Sequence, residues 1–309
     1  LPIDKLTIRK PKLVNNSYSS LGVANGGWGI NIGGEFDGSS DTVGEAVITR
    51  LDYQGGIVNG FNHGEYFGGL SGLDLGYGAT VKNSILSSII EGLDNCDLHS
   101  RFVTDSDNGS TADCIRIKEC TNCNVEHNTE VITSISFTGA AIAEADSITT
   151  STGNTIRNNN IILPSGVNSA AKFVDSSSST LAQSTYSNNH YYKGGDAFAS
   201  DDFNDEGVDR DGAGWAANVE ATAISDADHS TNLTTGAISS TSDLARRGNN
   251  SAVAARDFNG RFFNFNRPIG AFNIGSTAIS SSSSSGGNTT PGTININRLI
   301  NSDSLIQAG

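Results

Sequence analysis

The segment Thr155-Ile156-Arg157-Asn158-Asn159-Asn160-Ile161-Ile162 returns 30 residues later as Thr185-Tyr186-Ser187-Asn188-Asn189-His190-Tyr191-Tyr192. A third copy, Asn124-Val125-Glu126-His127-Asn128-Thr129-Glu130-Val131, lies 31 residues before the first. Two weaker copies precede it: Asp97-Leu98-His99-Ser100-Arg101-Phe102 lies 27 residues earlier, and Thr80-Val81-Lys82-Asn83-Ser84-Ile85 another 17 before that. Repeats of this size are supersecondary units that bury their apolar faces only by stacking on one another. Helical-hairpin repeats keep nearly constant length, whereas a solenoid of single strands varies its loops without moving its core. The unequal spacing therefore selects strands.

The predicted fold is all-β: a single-stranded parallel β-helix solenoid, right-handed by the crossover rule for parallel strands, with terminal caps and a C-terminal strand tail. Coils stacked at about 4.8 Å place Val81, Leu98, Val125, Ile156 and Tyr186 in one inward ladder. Three residues later the column reads Ser84, Arg101, Asn128, Asn159, Asn189. Asn suits a turn there, because it tolerates left-handed backbone and its amide bonds to the turns above and below. Composition agrees: 36 Gly, no Met and only 17% charged residues describe many short strands and turns rather than a helical bundle.

A net charge of −14 argues against nucleic acid and anionic membrane as partners. No apolar run is long enough to span a bilayer. Beginning at Leu1 without Met, the sequence reads as a processed product or a fragment from outside the cytosol.

With its repeated strands and Asn turns, the chain resembles the right-handed parallel β-helix superfamily, the pectate-lyase-like proteins with I-x-N-N-x-I strands. Ala255-Arg256-Asp257-Phe258-Asn259-Gly260-Arg261, followed by Arg267-Pro268-Ile269-Gly270-Ala271-Phe272, is similar to a second motif. That motif is the D-F-x-G, R-P, D-I-G-A segment closing many secreted bacterial β-helix proteins and some phage tailspike-like proteins. Pro268-Ile269 stands where an Asp usually precedes Ile-Gly-Ala. The resemblance covers about residues 75–275 and implies a fold that hosts lyases, hydrolases, adhesins and virion spikes alike.

On this reading residues 1–50 form an N-terminal cap or irregular first coils and 51–195 the repeats. Residues 196–275 close the C-terminal end, 276–292 are a Ser/Gly linker and 293–309 a strand tail. Thr7-Ile8 with Lys12-Leu13-Val14-Asn15 matches Thr293-Ile294 with Arg298-Leu299-Ile300-Asn301. The tail is thus expected to pair with a second copy of the chain; a chance match in biased sequence is the alternative.

The residue after each ladder position reads Lys82, His99, Glu126, Arg157, Ser187, an outward polar column joined by Asp97. Asp97 and Glu126, one coil and two strand residues apart, would stand about 8 Å from each other, a separation suited to an inverting glycosidase. A lyase reading uses the same face, with a Lys, His or Arg as base and a neighbouring cation neutralising a uronate carboxylate. Asp97, His99, Glu126 and Arg157 are the catalytic candidates, and Lys82, Arg116 and Lys118 the substrate-binding ones. The bland alternative is a solvated charged face of a sheet.

Asp205, Asp209 and Asp211, in an acidic run ending at Gly212, are candidate calcium ligands, with a solvated loop as the alternative. Cys96 and Cys123 each precede a ladder member by two residues and face inward on adjacent coils, as buried thiols, a disulfide or, with Cys120, a metal site. His63 and Glu65, among aromatics, read as a ligand contact or a turn. The functional expectation is an extracellular, cell-surface or virion-surface module that binds or depolymerises polysaccharide, an enzyme only if lyase or glycoside hydrolase. The alternative is a non-catalytic structural or adhesive protein that assembles into fibres.

Overall fold

The computed structural model describes residues 3–14, 28–33, 48–104, 113–145, 151–176, 183–225, 231–239, 241–263 and 267–272. The chain divides into two units, Leu1–Ala278 and Ile279–Gly309. The first is described below; the expected linker and strand tail lie outside the described residues.

The first unit is a parallel β-solenoid. Its seven-stranded sheet stacks Lys12–Val14, Ile57–Asn59, Thr80–Lys82, Phe102–Thr104, Thr129–Val131, Asn160–Leu163 and His190–Lys193. An eight-stranded sheet stacks Trp28–Gly33, His63–Gly68, Leu86–Glu91, Asp113–Lys118, Ala140–Ala145, Lys172–Asp175 and Phe203–Asp205, and ends in antiparallel Val208–Arg210. A four-stranded sheet holds Asp97–His99, Asn124–Glu126, Thr152–Arg157 and Gln183–Ser187, and Leu6–Arg9 pairs with Leu51–Gln54. In the later coils the chain visits the four-, seven- and eight-stranded sheets in turn before rising to the next coil.

Leu98, Val125, Ile156 and Tyr186 stand in register and buried, as the repeats predict. Val81 is buried elsewhere, in register with Val58 and Val103 of the seven-stranded sheet. An offset of 17 residues is too short for a coil that carries three sides, so the Thr80 copy is the second side of its coil. Lys82 and Ser84 leave their predicted columns with it, Lys82 aligning with Asn59 and Thr104.

The Asn column is an interior ladder. Asn128 donates its backbone N–H and side-chain amide to Asn159 Oδ1, both at 3.0 Å, and Asn159 does the same to Asn189 Oδ1 at 3.0 Å. Asn189 in turn donates to Glu220 Oε1 from its backbone at 2.7 Å and from its side chain at 3.2 Å. At the other end the Arg101 N–H donates to Asn128 Oδ1. The left-handed residues lie one position earlier than the column, at Ser100, His127, Asn158 and Asn188 with φ of 54°, 52°, 57° and 55°. Such a corner turns the chain sharply from one sheet to the next and sends the preceding side chain outward.

An ion pair lies inside the solenoid. Arg101 and Glu65 meet at 3.2 Å, both fully buried. Arg101 also donates to the Gly76, His99 and Leu75 carbonyls, while Tyr53 and Ser88 donate to Glu65. A buried pair is tolerable only when its remaining donors and acceptors are bonded in this way. Glu65 is thus an interior residue of the strand His63–Gly68 rather than part of a turn.

The C-terminal end of the solenoid carries its own cover. Glu206 and Gly207, at φ of 50° and 84°, make the two-residue turn that lets Val208–Arg210 pair back on Phe203–Asp205. Asp211 then caps the short helix α1 (Gly212–Asn218), its Oδ1 accepting the Gly214 N–H at 2.6 Å. The helix brings Trp215 onto Phe203, stacked at 5.0 Å, and edge-on to Tyr186.

Candidate functional site

The outward column of the four-stranded sheet places His99, Glu126, Arg157 and Ser187 in register on successive coils, with Asp97 beside Asn124. Each charge already has a partner. Arg157 closes on Glu126 Oε1 through Nε at 2.7 Å and Nη2 at 2.5 Å. His99 meets Asp74 at 3.0 Å through Nε2, and Asp97 accepts from the Asn124 amide at 2.5 Å. Burial pushes the Asp97 carboxyl up. Burial also works against Asp74, but the bond and charge of His99, with the Gly76 N–H, hold it below the usual carboxylate range.

This face is roofed by the chain itself. A strap, residues 231–272 as far as they are described, runs back along the flank instead of over the end. Glu126 accepts the Val253 N–H at 3.2 Å through Oε1 and the Ala254 N–H at 2.9 Å through Oε2. Asn158 receives the Asn249 N–H at 2.6 Å and donates to the Asn249 carbonyl at 3.0 Å. Asn188 donates to the Arg247 carbonyl and Ser100 to that of Arg256. His127 stacks on Phe263 with centroids 4.2 Å apart. All four left-handed corner residues hold the strap by their side chains.

Beside the corner, Phe102, Val131 and Ile162 form a second small core with Ala271 and Phe272 of the strap. Burying such side chains stabilises by about 1.5–3 kcal/mol each. The motif that resembles a closing segment is therefore flank cover. His99 and Glu126 keep only 1% of their surface exposed. The expected groove is filled.

The substrate-binding candidates do not converge on this column. Lys82 sits in the seven-stranded sheet, while Arg116 and Lys118 are in the eight-stranded sheet. Lys118 pairs with Glu91, and Arg116 with Asp113 at 2.7 and 2.5 Å. Arg116, Ala143 and Asp175 align across three coils of the outer face. The small Ala143 between two charged neighbours leaves a cleft of about 170 Å³, also lined by Asp113, Thr138 and Ala170.

The calcium candidates are engaged in other ways. Asp205 pairs with Arg210 at 2.8 Å across the hairpin, and Asp209 accepts from Asn204 at 2.7 Å and faces Lys172 at 3.4 Å. Asp211 is the helix cap. Among the described residues no three His, Cys, Asp or Glu side chains are grouped to hold a metal ion. All four cysteines are buried free thiols, Cys96 and Cys123 on adjacent coils as expected. The hydrogen bond with Cys120 pushes the Cys123 thiol up to about 12, far from a reactive thiolate.

Sequence reasoning missed His127, Asn158 and Asn188 as strap anchors. The available signal was a column reading Ser100, His127, Asn158, Asn188, one place before the Asn ladder, with a histidine among small polar residues. Among protein-family models, curated proteins and solved structures, nothing matches this chain, so its class, a parallel β-solenoid, rests on its own geometry.

Proposed function

We propose that this chain is a non-catalytic surface module, pectate-lyase-like in architecture, that binds polysaccharide outside the cell or on a virion without cleaving it. One observation carries the reading: of the residues expected to catalyse, Glu126 and Arg157 are paired with each other and Glu126 is bound by two strap N–H groups, while Asp74 holds His99 and Asn124 holds Asp97. General acid and base chemistry needs groups that reach a substrate proton, and these reach the protein's own backbone instead.

The open cleft on the eight-stranded face is the better place for a sugar. Arg116 and Asp175 offer donors and acceptors for hydroxyls on either side of Ala143, whose methyl group provides an apolar floor. Binding is measured by calorimetry against a panel of neutral and acidic polysaccharides, with reducing-end and unsaturated-uronate release followed at neutral pH. A ligand should be found whose affinity falls at least about tenfold, or 1.4 kcal/mol, in Arg116→Ala. No product should appear. Released product at neutral pH overturns the non-catalytic reading, and assembly by light scattering with no glycan bound favours the fibre-forming alternative.

A further inference from the structure

We propose that the strap is an acid-released clamp whose trigger is His127, so that lowering the pH uncovers the Glu126–Arg157 face while the solenoid stays folded.

The geometry at His127 makes a neutral ring a condition of docking. The residue is fully buried, its ring lies flat on Phe263 of the strap, and its Nε2 is 3.0 Å from the Asn158 amide. That amide nitrogen also donates to the Asn249 carbonyl of the strap, so Nε2 must be the acceptor in this contact and carry no proton. A backbone group of Gly270 on the strap favours the protonated ring, against the burial and the cations around it. Protonation nonetheless breaks the Asn158 contact and leaves a buried cation whose Nε2 has no acceptor.

The surrounding charges act in the same direction. Arg267 faces the ring from the strap, Arg157 from the coil above and His99 from the coil below. The adjacent carboxylate of Glu126 is engaged by Arg157 and by two strap N–H groups. Burial, then Arg267 and His99, hold His127 well below the ordinary histidine range. A folded-state value below the unfolded one means that the open state binds the proton more tightly, so docking weakens as pH falls below about 6.5. Ser100, Asn158 and Asn188 grip the strap through neutral groups, and Glu126 adds a second titratable anchor.

Hydrogen exchange on the full chain tests this, with rates corrected for intrinsic pH dependence. One proton taken up per opening predicts that protection at Val253, Ala254 and Gly270 falls about tenfold per pH unit below about 6.5. Amides of the four-stranded sheet should hold their protection over the same range. In His127→Phe, which keeps a ring against Phe263 but cannot titrate, the strap should lose that slope. Phe263→Leu should lower strap protection at neutral pH and keep the slope. The proposal is overturned if the strap shows no pH dependence, if His127→Phe retains the wild-type slope, or if strap and sheet lose protection together. Should His127→Phe fail to fold, a histidine ring titration by NMR in the wild-type chain decides: a normal value for His127 refutes the clamp.

Discussion

Glu130 lies in register with Val103 and Ile161 in the seven-stranded sheet, fully buried, and neither of its carboxyl oxygens has a hydrogen-bond partner among the described residues. Burial alone pushes its carboxyl well above the ordinary range, which favours the neutral acid in the core. An unbonded buried polar group costs about 1–3 kcal/mol. Glu130→Leu, similar in volume, is therefore expected to stabilise the chain by about that amount in urea unfolding. The sign of the pH dependence follows from the raised value: protonation favours the folded state below the unfolded value near 4.5, and this contribution is lost as pH rises. The advantage of Glu130→Leu should accordingly be larger at pH 8 than at pH 5. A leucine variant that is less stable at both would show that the site holds an acceptor-dependent contact.

At the scale of the element, the Asn ladder ties three coils together through a column that no strand pairing supplies. Asn159 bonds Asn128 below and Asn189 above, and its amide also donates to the Val125 carbonyl at 3.0 Å. Asn159→Leu keeps the branching of the side chain but orphans several buried groups at once, so a loss of about 3–5 kcal/mol is expected in urea unfolding. A loss under about 1 kcal/mol would mean that water or a shifted neighbour replaces the amide. This column and the Leu98 to Tyr186 ladder were legible in the sequence because each coil restates them at nearly constant phase. Val81 was misplaced because composition does not mark which side of a coil a short strand occupies. The strap was not legible. Its contacts join residues far apart in sequence, from 59 positions for Asn188 with Arg247 to 156 for Ser100 with Arg256, and no periodicity repeats them. The charged column was read correctly along the four-stranded sheet for His99, Glu126 and Arg157, but its burial depended on those distant contacts.

Across the whole molecule, the Glu220 end of the Asn ladder and the strap respond to acid in opposite ways. Glu220 terminates the ladder beneath the helix that carries Trp215, accepting from Asn189, from Tyr191 at 2.7 Å and from Trp215 at 3.1 Å. Burial raises its carboxyl from 4.5 to about 7, against those bonds. A raised folded value contributes stability that is full below about 4.5 and lost as pH climbs through about 7, a swing of about 3 kcal/mol. Glu130 adds to it with the same sign. With a net charge of −14, protonating carboxylates also relieves self-repulsion. His127 carries the opposite sign, so mild acid loosens the flank while strengthening the coils and their cap. Glu220→Gln separates the two, since it removes one titration and leaves the strap untouched. Its unfolding free energy, measured from pH 4.5 to 8, should decline by about 3 kcal/mol less than that of wild type, the balance between the two chains shifting toward wild type as pH falls. Parallel curves would mean that Glu220 is ionised throughout. In that case the Tyr191 and Trp215 donors, rather than a proton, neutralise the buried end of the ladder.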